Sequence, residues 1–150
     1  MTDEVRIRDA VIDDLPVLNT ISVASKSYWK YPKEWITAWQ KDLTITELDL
    51  KEMLVKVAEI NCRIVGFGAI KESKHVYEIM HLWVSPDLIK QGIGKILLQS
   101  LINSTKSKKP IKVESDPNAY GFYTKMGFHV IGEIQSYPSN RFLPLLIKKH

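Results

Sequence analysis

The sequence predicts a mixed α/β fold (α+β in its mixed sheet), with a central sheet flanked by helices, in a single domain spanning residues 1–150. Three observations carry this expectation. Residues 55–85 hold three runs rich in β-branched and aromatic residues, "VKVAEI", "RIVGFGAI" and "HVYEIMHLWVS", separated by short turn-like breaks. On either side lie segments whose apolar residues recur at helical spacing, at residues 13–28 and after Gly94. Two more β-type runs, "FHVIGEI" and "RFLPLLIKK", close the chain. Strand runs interleaved with helical runs predict a sheet covered by helices.

Taken in order, "EVRIRDA" alternates as a strand. "DDLPVLNTISVASKSY" follows, with Leu15, Leu18 and Ile21 along one helical face and Asp13 placed as its N-cap. "YPKEWITAWQKDL" sets Trp35 and Trp39 four residues apart, the spacing of neighbours on a helix. "TELDLKEML" is a short third helix. The three-stranded meander comes next, with tight turns expected at Asn61 and in "KESKH". The helix after Gly94 carries Ile93, Leu97, Leu98 and Leu101 as its apolar stripe. "PIKVESD" is a strand, and "PNAYGFYTKM" a short helix stopped by Gly127 in the C′ position. The predicted order is therefore β-α-α-(α)-β-β-β-α-β-α-β-β.

Composition excludes several function classes. A chain of 150 residues is long enough to build a core. The net charge is only +4, and "KSKK" at residues 106–109 reads as a solvated loop. The lysine cluster "KSKK" holds no aromatic, which argues against a nucleic-acid patch. Cys62 is the one cysteine, so no intrachain disulfide forms, and no neighbouring Cys or His makes it a metal ligand. No run is long and apolar enough for a membrane span or a signal peptide, so a cytoplasmic location is expected. Monomer and homodimer both remain open.

The stretch "SPDLIKQGIGKILLQSL" raises the functional question, because it puts Gly92 and Gly94 at the mouth of a helix. Glycine in a helix costs ~1 kcal/mol relative to alanine. A helix N-terminus presents unpaired N–H groups and favours anions, and glycine lets an anion approach the backbone closely. "KQGIGK" thus reads either as a phosphate cradle or as a plain helix start packed closely on its neighbours. It is not a dinucleotide fingerprint, because the third glycine would fall at Leu97. It is not a P-loop either, because Ile89 and Ile96 occupy the places of the first Gly and the Ser/Thr.

"EIMHLWVSPD", "GIGKILL" and "DPNAYGFYTKMGF" together resemble the GNAT superfamily of acetyl-CoA-dependent N-acetyltransferases. The likeness in element order runs nearly end to end and is most specific from Glu78 to Phe128. "SKSYWKYPKEW", "HLWVSPD" and "RFLPLL" are similar to a subgroup of small bacterial-type members of undefined substrate. The resemblance implies transfer of the acetyl group of acetyl-CoA to a small-molecule or peptide amine, by direct attack in a ternary complex. It also implies coenzyme A contacts from Leu82, Trp83 and Val84 on the strand, from Lys90, Gln91, Gly92, Ile93, Gly94 and Lys95 in the cradle, and from Asn118, which could equally be an N-cap. Ile89 departs from the family signature, which prefers Arg or Gln there; Lys90 and Gln91 stand beside it. An acyl-CoA-binding module of the same fold, without turnover, is the alternative.

The chemistry asks for particular groups. A lysine-like amine has a pKa of roughly 10.4, so a base must free it near neutrality. The resemblance places Tyr123 beside the departing sulfur, and leaves Tyr120 to pack the helix. Glu78 stands at the spacing of a catalytic glutamate in some members, six residues before Val84. Strict alternation would put Glu78 on one face with Met80, Leu82 and Val84, so the assignment requires a bulge between Met80 and Leu82. His81 is the rival base, and ordered water the third candidate. For the acceptor, Tyr28, Trp29 and Tyr31 are candidate pocket walls, facing a loop "SYPSNR". Arg141 is either a ligand for an acceptor carboxylate or the partner of an acid within the fold.

Overall fold

The computed structural model describes residues 4–138 and 141–149. Strand β1 (Arg6–Asp9) leads through a three-ten turn at Ile12–Asp14 into α1 (Leu15–Ser27). Helices α2 (Lys33–Ala38), α3 (Gln40–Leu43) and α4 (Glu47–Glu52) follow. The sheet continues with β2 (Leu54–Ile60), β3 (Arg63–Glu72) and β4 (Tyr77–Val84). Helix α5 (Ile93–Asn103), β5 (Ile111–Glu114), α6 (Tyr120–Lys125), β6 (His129–Ser136) and β7 (Arg141–Lys148) complete the order.

The expected element order holds, with local corrections. Asp13 is not the cap of α1. Asp14 precedes that helix instead, and its carboxylate accepts from the Val11 amide (2.8 Å) and from Arg8 (2.8 and 3.0 Å). The second helix is two helices, broken at Trp39, whose buried ring donates from Nε1 to the Tyr137 carbonyl at 3.1 Å. Gly127 does take the C′ position, with φ +94°.

The strands form one sheet in the order β1-β2-β3-β4-β5-β7-β6. Every neighbouring pair is antiparallel except β4 and β5. One face is packed by α5 and α6. The α5 stripe of Ile93, Leu97, Leu98 and Leu101 is at most 1% exposed. Each such side chain contributes roughly 1.5–3 kcal/mol on burial. Helix α5 can lie this close because β3 carries Gly66 and Gly68 beneath it. A Cβ on Gly68 would come within 2.7 Å of Leu101 Cδ1, and one on Gly66 within 3.2 Å of Leu97 Cδ1. The other face is packed by α1, through Leu18 and Ile21 against Val55, Val57, Phe67 and Ala69.

Strand β4 positions the site. Its register against β3 pairs Ile79 with Ile70 and His81 with Ala69, so Met80 is an extra, bulged residue. The bulge is present, one position earlier than the expected place between Met80 and Leu82. It sends Tyr77, Ile79, Leu82 and Val84 to the α5 side, and Glu78, His81 and Trp83 to the α1 side. The parallel pairing of β4 with β5 covers only Tyr77, Ile79 and the residue between them. Beyond Ile79 the two strands part, and the edge of β4 that faced β5 has no strand partner among the described residues.

Candidate active site

A cavity of about 620 Å³ opens where β4 and β5 part. Leu82 and Val84 of β4 form its floor, and Phe122 and Tyr123 of α6, with Met126 just after it, line one wall. The loop from Leu88 to Lys90 and the first residues of α5 form its end, while Ser25 and Trp29 reach it from the α1 side. Lys90, Lys95 and Lys125 line it, and no carboxylate does so among the described residues.

The α5 end is built for an anion. Gly92 is the N-cap residue at φ 83°, ψ 3°, a left-handed conformation that a residue with a Cβ adopts only under strain. Lys90 is also left-handed, at φ 65°. No side chain caps the helix. The first closing bond runs from the Ile96 amide to the Gly92 carbonyl (3.2 Å), so the amides of Ile93, Gly94 and Lys95 precede it. A Cβ on Gly92 would meet nothing within 4 Å, so the backbone there lies open. Bare amides, open space and nearby lysines fit a pyrophosphate.

Tyr123 is buried, its ring edge-on to Phe122 and Phe128. Burial alone pushes its phenol above the ordinary range, so it stays protonated at any physiological pH. Tyr120 is exposed rather than packed (43%). The inward face of α6 comes from Ala119, Phe122, Tyr123 and Met126, the i, i+3, i+4, i+7 set, which leaves Tyr120 off that face.

Asn118 lines the cavity but is not a cap. Asp116 caps the turn at Pro117–Ala119, accepting from the Asn118 amide at 2.8 Å. Asp116 is also the centre of a cluster that sequence reasoning missed. It accepts from Lys26 Nζ, from the Tyr31 hydroxyl (3.0 Å) and from Asn118 Nδ2 (3.0 Å), with Arg141 at 3.6 Å. Arg141 therefore takes the second of its two expected fates, pairing within the fold. Both Lys26 and Arg141 also lie over the rings of Tyr31 and Trp39. Burial pushes the Asp116 carboxyl up, yet the Lys26 charge and the donors around it outweigh that, and the carboxyl titrates below its ordinary value. Burial holds the Lys26 ammonium below its own, against the pull of Asp116. Lys26 and Asp116 stand 90 residues apart, and no periodicity reports such a contact.

The two candidate bases stay outside the cavity. Glu78 is half-buried, and its carboxylate lies 3.9 Å from Lys112 Nζ. His81 is 6% exposed, against Phe67, and its Nδ1 accepts from Trp83 Nε1 at 3.0 Å. Burial pushes the imidazole below its ordinary pKa, opposed by the charges of Asp49 and Asp42. Trp83 and Gln91 do not line the cavity either. Trp29 lines it and Tyr28 stands edge-on to Trp29, while Tyr31 belongs to the Asp116 cluster. Of the "SYPSNR" loop, residues 139 and 140 lie outside the described residues. Ser25, Phe122, Lys125 and Met126 are lining residues that motif reading did not pick out. The inward face of α6 was the available sign for Phe122 and Met126.

A family model described as an acetyltransferase (GNAT) domain matches residues 20–148. The uncharacterized N-acetyltransferase YafP of Escherichia coli is 32% identical over 105 residues, 67% of this chain and 63% of that protein. The peptidyl-lysine N-acetyltransferase YjaB of Salmonella typhimurium is 35% identical over 65 residues, 43% of this chain and 45% of that protein. The matched stretches span less than two thirds of either relative. Among solved structures, the PaiA N-acetyltransferase of Thermoplasma acidophilum in complex with coenzyme A shares the fold. Its TM-score is 0.79 at 21% identity, covering 98% of this chain and 99% of that one. No helix among the described residues is long and apolar enough to cross a membrane.

Proposed function

This chain belongs to the GNAT acetyltransferase family, and on that premise we propose that it moves the acetyl group of acetyl-CoA to a primary amine by direct attack in a ternary complex. One observation carries the reading. The uncapped N-terminus of α5, with left-handed Gly92 before it, opens into a cavity lined by three lysines and no carboxylate. The amides of Ile93, Gly94 and Lys95 hold the pyrophosphate there, with Lys90 and Lys95 adding charge. Leu82, Val84 and Phe122 flank the pantetheine arm, and the open edge of β4 supplies N–H groups to it and to the acetyl oxygen.

Acetyl-CoA brings an activated acyl group, and the chain's own residues do the rest. Tyr123 donates a proton to the sulfur as the C–S bond breaks; burial keeps the phenol protonated but makes it a weaker acid, so its help is moderate. Glu78 takes the proton from the attacking amine through water, because it lies outside the cavity, on the α1 side of β4. An amine that arrives as ammonium sheds one proton to solvent and a second to Glu78 on its way to the amide. The sulfur gains one from Tyr123, and solvent carries the proton held by Glu78 back to the Tyr123 phenolate before the next turnover. Tyr28 and Trp29, both exposed at the end of α1, form the acceptor wall. Free, exposed Cys62 fits a reducing compartment such as the cytoplasm.

The second reading is an acyl-CoA binder without turnover, favoured by the placement of both candidate bases outside the cavity. Purified protein given acetyl-CoA and an amine panel, polyamines and lysine peptides included, decides between them. Amine-dependent release of free thiol supports transfer. Calorimetric binding of coenzyme A with no thiol release supports the binder.

A further inference from the structure

The cluster around Asp116 joins three distant parts of the chain. Lys26 and Tyr31 come from α1 and the segment that follows it, Asp116 and Asn118 from the turn before α6, and Arg141 from the start of β7. Asp116 itself opens the turn that leads into α6, the helix of Tyr123. The side chains of Lys26, Asp116 and Arg141 are only 10–14% exposed. Two cations thus share one carboxylate in a nearly dry setting.

The hydrogen bonding is saturated at its centre. The Tyr31 hydroxyl has one proton, which it gives to Asp116, at 3.0 Å from Oδ1 and 3.1 Å from Oδ2. Its lone pairs accept from Arg141 (3.0 Å) and from Asn118 Nδ2 (3.0 Å). Asn118 Nδ2 gives its other proton to Asp116 Oδ1 at 3.0 Å. Both amide protons of Asn118 are therefore committed to the cluster. Its carbonyl oxygen is the atom left to accept from a ligand in the cavity that Asn118 lines.

We propose that Asp116 is a positioning residue for coenzyme binding: it fixes the amide of Asn118 so that the carbonyl oxygen faces the ligand. The inference rests on the coenzyme reading of the cavity. Without Asp116 the Asn118 amide keeps only its bond to the Tyr31 hydroxyl and is held less firmly, and Lys26 and Arg141 are left as neighbouring unpaired cations.

A double-mutant cycle read by calorimetry with coenzyme A tests this. Asp116→Asn is expected to weaken binding by about tenfold, the size of one lost charge-assisted contact. Tyr31→Phe, which removes only the bridge and keeps every charge, should weaken it by about threefold on the same scale. In an Asn118→Ala background both effects should shrink to nearly nothing, because the residue they act through is gone. A general loss of structure would instead give additive losses, which would overturn the proposal, as would unchanged affinity in Tyr31→Phe and Asp116→Asn. If Asp116→Asn does not fold, the Tyr31→Phe arm of the cycle decides alone. A wild-type chain that does not bind coenzyme A at all would refute the reading of the cavity rather than the role of Asp116.

Discussion

Trp83 Nε1 donates to His81 Nδ1 at 3.0 Å, across two positions of the same strand. The bond occupies the lone pair on Nδ1, so the ring proton sits on Nε2 and the neutral imidazole has no free acceptor. A base needs a free lone pair. His81 can take a proton only by giving up Trp83, inside a packed face where burial already disfavours the charged ring.

The first prediction follows from that burial. The folded pKa of His81 lies below its unfolded value of roughly 6.5. Above the unfolded pKa both states are neutral and stability is unaffected. As pH falls below it, the unfolded chain binds a proton that the native ring refuses, so stability drops until the folded pKa is passed. Urea melts from pH 7.5 to 5.0 should lose stability less steeply in His81→Gln than in wild type. Parallel slopes would show that His81 titrates normally. Amide carbonyl in place of imidazole still accepts from Trp83, so kcat/KM should stay within about threefold.

Glu78→Gln keeps the shape and removes the basicity. Its kcat/KM at neutral pH should fall by about two orders of magnitude, within the range of general-base catalysis. Affinity for coenzyme A should not change, because Glu78 does not line the cavity. If kinetics are unaffected, water alone serves as the base.

Gly94→Glu tests the cradle. A Cβ on Gly94 would sit 3.5 Å from Phe122 Cε1, an ordinary contact, so circular dichroism should report an intact fold. The new carboxylate would stand among the free amides of α5, where a second anion is repelled. The Kd for coenzyme A should rise by about tenfold or more. Gly94→Ala is the matched control and should bind nearly as wild type. Equal Kd values for Glu and Ala would place the pyrophosphate elsewhere.

Much of this arrangement was legible in local pattern. The stripe Ile93, Leu97, Leu98 and Leu101 announces α5, and all four side chains are buried. The conflict on β4, a glutamate sharing alternation with Leu82 and Val84, announces a bulge, because a charged side chain would otherwise face the core. Its position shifted by one residue, since the face switch can be made at either neighbour and packing decides. The break at Trp39 was not legible. At the break the indole donates to the Tyr137 carbonyl, nearly 100 residues away, a contact that local pattern does not report. Asp116 was hidden for the same reason. Its surroundings read as the end of a strand running into a helix, whereas it caps the turn between them, and its bonds to Lys26 and Tyr31 exist only once α1 and α6 are docked.

The last prediction concerns Tyr123. Its phenol is buried and held above the ordinary range, so it is a weak acid kept in its donating form. A thiol has a pKa of roughly 8.5, so its thiolate leaves tolerably well even without help. Tyr123→Phe removes the hydroxyl and keeps the ring against Phe122 and Phe128, so the melting temperature should barely move. The expected loss is about ten- to a hundredfold in kcat, less than the most that general acid catalysis can supply. It should appear in kcat and not in the KM for acetyl-CoA, since the proton is needed only as the C–S bond breaks. Replacing acetyl-CoA by an acetyl thioester of a more acidic thiol should restore most of the loss, because a better leaving group needs no proton. Exposed Tyr120 provides the control: Tyr120→Phe should be silent. Equal, small effects from the two tyrosines would make Tyr123 a packing residue, with the thiolate leaving unassisted by α6.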